Sequence, residues 1–116
     1  MEGLSIPALR RAIEGRDSKT LAGFYAPDAR LQIIDEANPP SKPFEVKGRD
    51  AIVAYFDDVC GRDMTHKVDF GIQEGNRLAF TQSCAYPDGK RVFCSASIDI
   101  ENGKIARQIA IQAWDP

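Results

Sequence analysis

The chain has 116 residues, the length of one domain, with 15 Lys and Arg against 17 Asp and Glu and a formal net charge of −2. Hydrophobic residues make up 43% and charged residues 28%, the balance of an ordinary globular domain that can bury one core without staples. A slightly acidic chain gives no electrostatic reason to bind nucleic acid or an anionic membrane, since both require a basic surface.

The N-terminal third reads as helix. Ser5 can cap a first helix, Pro7 is tolerated in its opening turn, and Ile6, Leu9 and Ile13 recur on one face. Gly15 suits the stop. Asp17 or Ser18 can cap a short second helix carrying Leu21, Phe24 and Tyr25, which Pro27 ends. Residues 29–35 alternate as a strand, with Leu31, Ile33 and Asp35 on one face. Residues 36–43 contain three prolines, which fix φ and remove donors, so this segment is a loop. Phe44, Glu45 and Val46 form a short strand candidate. Gly48 then precedes a third helix over 49–60, burying Ile52, Tyr55, Phe56 and Val59, with Gly61 closing it.

The remainder reads as β-structure. Turn signals at 74–76, 87–90 and 101–104 divide four strands, near 65–73, 77–86, 91–100 and 104–114. Two of these turns contain Asp88-Gly89 and Asn102-Gly103, the strongest short hairpin signals. Helices followed by an antiparallel meander define an α+β class. No repeat or linker interrupts the sequence, so residues 1–116 read as one domain.

Alternation assigns the faces of the strands. His66, Val68, Phe70 and Ile72 share one side, as do Leu78, Phe80, Gln82, Cys84 and Tyr86, and Val92, Cys94, Ala96, Ile98 and Ile100. A two-residue turn at Asn102-Gly103 places Ile105 opposite Ile100. Strict alternation then sends Ile105, Arg107, Ile109, Ile111 and Ala113 to that same inner side. The other face collects Phe93, Ser95, Ser97, Asp99, Ala106, Gln108, Ala110, Gln112 and Trp114. A face of small, polar and aromatic residues suits either solvent or a partner sheet, and of the two a homodimer through it is the expectation.

The three cysteines are Cys60, Cys84 and Cys94, and none falls in a Cys-x-x-Cys spacing. An odd, low count is no disulfide framework, and one histidine with three cysteines is a poor structural zinc set. No metal or other cofactor is expected. Residues 1–11 lack an apolar run of signal-peptide length, and no stretch approaches the roughly 18 apolar residues of a membrane span. The expectation is a cytoplasmic protein.

Residues 12–31 (AIEGRDSKTLAGFYAPDARL), 46–56 (VKGRDAIVAYF) and 103–115 (GKIARQIAIQAWD), with the meander between them, together resemble the nuclear transport factor two-like superfamily, and within it the SnoaL-like group. The resemblance spans nearly the whole chain. Its signatures are Gly15-Arg16-Asp17 between helices, 24–29 (FYAPDA) entering the first strand, and Gly48-Arg49-Asp50-Ala51-Ile52 opening the third helix. The resemblance implies a cone-shaped α+β barrel, with three N-terminal helices packed on a curved, mostly antiparallel sheet and an apolar pocket inside. It also implies frequent dimers through the outer sheet face. The superfamily holds isomerases, dehydratases, epoxide hydrolases and polyketide cyclases beside non-catalytic association modules, so the fold does not fix the function.

Laid on the ketosteroid isomerase pattern, the chain has Ile33 at the proton-shuttling aspartate, Leu9 at the oxyanion tyrosine and Ala96 at the protonated aspartate. None of these side chains can move a proton, so that mechanism is not expected. The epoxide hydrolase pattern needs two acids around an arginine. Arg107 and Asp35 are its only inward candidates, and a second acid is missing.

Other residues could still carry chemistry. Asp35 shares a face with Leu31 and Ile33, and in an apolar pocket it would be a candidate general acid or base. His66 opens its strand on the apolar side and could be the base, with Asp35 orienting it. Against these stand a strand-end carboxylate facing water and a histidine satisfied in the core. Tyr25 and Tyr55 could orient a polar ligand atom or serve ordinary packing, with Gln82, Phe56 and Phe80 beside them as pocket lining. Cys84 and Cys94 face inward, as small core hydrophobes or as thiols. Arg107 is the oddest position. It either binds an acid inside or signals that the register is off by one and the side chain is exposed.

Two functions from different classes remain open. One is a small-molecule-binding protein with an apolar cone pocket that works as a cofactor-independent acid–base enzyme on a small hydrophobic substrate. The other is a non-catalytic homodimeric ligand-binding or association module. An open cone lined by Asp35 and His66 favours the first. A cone filled by Phe24, Phe56, Phe70 and Phe80 favours the second.

Overall fold

A computed structural model describes residues 3–115. The elements follow in the order α1 (Ile6–Glu14), α2 (Ser18–Gly23), β1 (Tyr25–Ile34), β2 (Phe44–Lys47), α3 (Arg49–Gly61), β3 (Thr65–Glu74), β4 (Arg77–Ala85), β5 (Arg91–Glu101) and β6 (Lys104–Asp115). The strands make one curved, open sheet in the order β2-β1-β6-β5-β4-β3, antiparallel except where β1 runs parallel to β6. The three helices pack on its concave side. This is the α+β architecture expected from the sequence.

The helix starts follow from their caps. The Ser5 hydroxyl accepts from the Ala8 N–H at 3.1 Å, and the Asp17 carboxylate accepts from the Thr20 N–H at 3.2 Å, so each cap satisfies one orphan donor. α2 is shorter than the sequence suggested. Tyr25 already opens β1, and Pro27 lies inside that strand where the pairing with β6 shifts register between Tyr25 and Arg30. A proline is tolerated there because the irregular stretch does not need its N–H.

The β5–β6 hairpin turns where Asn-Gly requires. Asn102 and Gly103 have φ of 53° and 76°, both left-handed as in a type I′ turn, and Ile100 pairs with Ile105. Immediately afterwards β6 departs from strict alternation. Ile100 faces Ile105 but Asp99 faces Arg107, so Ala106 is an extra residue, a β-bulge. One extra residue inverts the face of everything that follows it. Ile105 remains inside and fully buried, while Ile109 and Ile111 are 44% and 52% exposed on the outer face. Gln108, Ala110, Gln112 and Trp114 turn toward the helices instead. Arg107 joins the outer face, where Asp99 pairs with it and with Arg77. The expectation of an inward Arg107, Ile109, Ile111 and Ala113 is therefore corrected by this bulge.

A second bulge reverses β3. Val68 faces Gln82 but Phe70 faces Thr81, leaving Asp69 unmatched. His66 and Val68 stay on the helical side, whereas Phe70 and Ile72 are exposed on the outer face. The Glu14 carboxylate of α1 accepts from the Val68 N–H at 2.9 Å, tying the helix to the strand beside the bulge. Gly71 then lies under α1, where a Cβ would come within 2.7 Å of the Ile6 side chain, so the close approach of helix and strand needs a glycine.

The main core joins Leu9 and Ile13 of α1, Leu31 and Ile33 of β1, Ile52 and Phe56 of α3, and Phe80, Ile98 and Ile105 of the sheet. A smaller cluster of Met64, Cys84, Val92 and Cys94 packs against Tyr86 and Trp114 toward one end. No helix is long and apolar enough to cross a membrane among the described residues.

Candidate functional site

Between helices and sheet the core does not close. A hollow of about 360 Å³ extends from Tyr25, Phe56 and Gln108 toward Asn38, Phe44, Arg62, Tyr86 and Trp114. Its volume falls near the lower end of small-molecule sites, roughly 300–1,000 Å³. The sheet contributes His66, Phe80, Gln82, Cys84, Cys94, Ala96 and Ala110, and the helices contribute Leu9, Ile13, Tyr55 and Val59. Leu9, Ile33 and Ala96, the three positions compared with the isomerase, all border the hollow and are all apolar.

Of the residues singled out from sequence, Asp35, His66, Tyr25, Tyr55, Gln82, Phe56 and Phe80 border the hollow; Arg107 does not. The arginine at the hollow is Arg62, at the C-cap of α3, which donates to the Tyr86 hydroxyl at 3.0 Å and to the Asp58 carboxylate at 2.7 Å. Phe24 is buried without bordering the hollow, and Phe70 lies outside.

Tyr25 and Gln108 form the polar element at the buried end. The Tyr25 hydroxyl donates to Gln108 Oε1 in a short contact between two buried side chains. Burial pushes the Tyr25 phenol well above its ordinary value, and Tyr55 is pushed up to about 12, again mainly by burial. Both are therefore neutral hydroxyls at physiological pH, able to orient a ligand but not to act as bases. The alternation pattern missed Gln108 because the bulge had not been recognised. The one available signal was Arg107, a charge standing in a row of aliphatic residues.

Asp35 sits just after β1, and its carboxylate is engaged by its own turn. Oδ1 accepts from the Ala37 and Asn38 N–H groups at 2.9 and 2.8 Å and from Asn38 Nδ2 at 2.9 Å. This is an Asx-type turn that starts the proline loop. The carboxylate makes no hydrogen bond to His66 among the contacts of the described residues.

His66 lies instead among sulfurs. It pairs across the strands with Cys84, with Nδ1 3.0 Å from Cys84 Sγ, while Nε2 is buried with no hydrogen-bond partner among the described residues. Burial, helped by the charge of Arg16, holds the imidazole below its ordinary value of 6.5, so the ring is neutral near pH 7. Among the described residues, no group of three or more His, Cys, Asp and Glu side chains is arranged to hold a metal ion.

The depressed His66 value has a consequence for stability. The unfolded chain binds this proton more readily than the folded one, so the contribution is fully present above about pH 6.5 and is lost as pH falls through the lower folded value. Because the chain has one histidine, its C2-proton NMR signal titrates without overlap. The expected midpoint lies below 6.5, and His66→Gln flattens the slope of unfolding free energy just below that pH. A midpoint at or above the ordinary value would refute the burial account.

The outer face carries a different feature. Phe70, Ile72, Phe93, Ile109 and Ile111 are exposed there, around a shallow trough of about 560 Å³ bordered by Ile72, Ile109, Arg30, Arg77, Asp99 and Arg107. The trough is an open depression with charged edges, whereas the inner hollow is framed by buried groups.

The comparisons with known proteins agree with this geometry. The family model described as SnoaL-like domain matches residues 7–108. A nuclear transport factor two-like protein of unknown function from Mesorhizobium loti superposes with a TM-score of 0.81 at 14% identity, over 93% of this chain and 87% of that one. An inferred ketosteroid isomerase from Kribbella flavida gives 0.76 at 17% identity, over 95% of this chain and 77% of that one. An inferred polyketide cyclase from Sinorhizobium meliloti gives 0.67 at 19% identity, over 90% of this chain and 91% of that one. At these identities the likeness is one of fold. No curated protein matches the chain in sequence.

Proposed function

The chain belongs to the SnoaL-like family, and from that premise we propose that its inner hollow binds a small, mostly apolar molecule bearing one or two polar atoms, on which it does cofactor-independent acid–base chemistry. The observation that carries this reading is the open volume of about 360 Å³ bordered by apolar walls and by Tyr25, Tyr55, Gln82, Gln108 and a neutral His66. Buried hydroxyls and amides fix the orientation of a carbonyl, epoxide or lactone oxygen, and apolar walls supply the affinity. His66 is the group able to take a proton near neutral pH. Asp35, closed into its own turn, helps shape the mouth. The structural neighbours described as an isomerase and a cyclase are consistent with such a substrate class.

The second reading, a non-catalytic binding or association module, has its own support. The three positions that carry isomerase chemistry are Leu9, Ile33 and Ala96, and Asp35 makes no hydrogen bond to His66. Both readings include a homodimer through the outer face, supported by the exposed row of Phe93, Ile109 and Ile111. Both are placed in the cytoplasm, an assignment supported by three unpaired thiols.

Trp114, the one tryptophan, borders the hollow and stacks on Tyr86 with ring centroids 6.1 Å apart, so its fluorescence reports occupancy. Titration with 1-tetralone is expected to give a saturable change, lost in Ala110→Phe, whose ring projects into the hollow. Turnover in a panel of cyclic ketones, epoxides and lactones is expected to vanish in His66→Ala. A wild-type chain that binds no member of the panel ends the pocket reading, and one that binds but turns over none supports the module.

A further inference from the structure

His66, Cys84 and Cys94 stand in a row across β3, β4 and β5 on the wall of the hollow. We propose that they form a thiol site that takes a small α,β-unsaturated ketone or aldehyde covalently by conjugate addition. The proposal rests on the preceding reading only in requiring that the hollow admit a small molecule.

The strand register makes the row. His66 is directly opposite Cys84, while Gln82 faces Cys94 and Cys84 faces Val92, so the two cysteines are diagonal neighbours on one face. Cys84 Sγ lies 3.0 Å from His66 Nδ1, with Gln82 Oε1 at 3.5 Å as a further acceptor. All three residues border the hollow. The imidazole stands beside Cys84, and Cys84 beside Cys94, so a proton leaving Cys94 reaches the base by one relay through Cys84, which yields the thiolate, the reactive form. The state of each thiol affects the other. A thiolate at Cys94 accepts a hydrogen bond from the Cys84 S–H, which holds Cys94 below the ordinary thiol value and makes removal of the second proton, from Cys84, much harder. His66 is neutral, so its Nδ1 lone pair can receive a proton from Cys84 across the 3.0 Å contact. Cys60, the third thiol, has no hydrogen bond to an imidazole and is pushed up by burial.

The addition balances without an oxidant, reductant or leaving group. The Cys94 sulfur supplies the electron pair of a new S–C bond at the β-carbon. The π pair of the C=C bond moves onto the α-carbon and carbonyl oxygen as an enolate. The thiol proton, passed through Cys84 to His66 Nδ1, returns to the α-carbon. Tyr55, which borders the same hollow as Cys94, is a neutral donor available to the enolate oxygen.

The test uses 2-cyclohexenone and its saturated analogue cyclohexanone. Intact mass spectrometry of the wild-type chain is expected to show one adduct, mapped to Cys94, forming about tenfold or more faster than with glutathione at the same pH. Cys94→Ser is expected to abolish the adduct, and Cys60→Ser to leave it unchanged. His66→Gln is expected to slow addition at saturating 2-cyclohexenone by about tenfold or more and to move its pH profile up toward that of an ordinary thiol, a change of profile that a purely structural role would not give. Labelling at Cys60, or addition no faster than with glutathione while cyclohexanone binds, overturns this proposal and leaves the pocket reading standing. Failure of cyclohexanone and 1-tetralone alike to bind removes the pocket reading and this proposal with it.

Discussion

Ile105→Ala is expected to lower the unfolding free energy by roughly 2–5 kcal/mol, whereas Ile109→Ala, four residues along the same strand, is expected to change the stability of an isolated subunit by less than about 0.5 kcal/mol. Ile105 is completely buried in the main core, so truncation removes transfer energy and leaves a cavity among neighbours that collapse only partly. Ile109 is 44% exposed on the outer face because the Ala106 bulge has inverted the strand between them. Unbroken alternation would place both inside and give both the larger cost. Urea unfolding of the two variants at a concentration where the chain is monomeric, compared by midpoint at constant slope, separates the two accounts.

The outer face is expected to hold two copies together, and a charge there is expected to separate them. Ile109→Arg sets a guanidinium among Ile72, Ile111 and the edge of the trough, close to Arg107 and its Asp99 partner. Burying an unpaired charge in an interface costs several kcal/mol, and each 1.4 kcal/mol is a factor of ten in dissociation constant. The dimer is therefore expected to weaken by about a hundredfold or more. Analytical ultracentrifugation across a range of concentrations measures this directly. A wild-type chain that sediments as a monomer at high concentration would remove the dimer, and a variant as dimeric as the wild type would place the interface elsewhere. Because the substituted position is exposed in the subunit, the fold itself should persist.

Much of the fold is legible in the sequence alone. Ser5 announced one helix start, Asp17 or Ser18 the second, with Asp17 the cap, and Gly48 the third, and the Asp-Gly and Asn-Gly turns divided the meander at the right places. The inner faces of β4 and β5 followed from alternation, since Leu78, Phe80, Cys84, Val92, Cys94, Ala96 and Ile98 are all buried. What the pattern could not show were the two bulges. A bulge is detected by a break in polarity. β3 and β6 carry aliphatic or aromatic residues on both sides, because one face packs against the helices and the other is apolar outside. Phe70, Ile72, Ile109 and Ile111 therefore looked like core. Arg107 alone registered the slip.

The candidate site was legible to the same extent. Tyr55 and Phe56 border the hollow as the helical spacing of α3 suggested, and His66, Phe80 and Gln82 do so because β3 and β4 alternate regularly as far as those positions. Tyr25 borders it too, although it was assigned to a helix and lies in a strand. Gln108 was missed because it lies beyond the bulge. The nearness of His66 to sulfur, rather than a hydrogen bond to Asp35, depends on strand pairing and on an Asx turn, neither of which residue spacing reveals.

The extra residue at position 106 also gives the last strand two independent evolutionary ledgers. Beyond it, even-numbered codons shape the cavity, and odd-numbered codons shape the exterior. Selection on the inner hollow and selection on the outer face can therefore draw on interleaved, non-overlapping sets of positions in a single nine-residue stretch, 107–115. A lineage can rework the exterior of this strand while keeping the lining of the hollow, or the reverse, by point substitutions alone. A one-codon deletion at the bulge would exchange both sets at once.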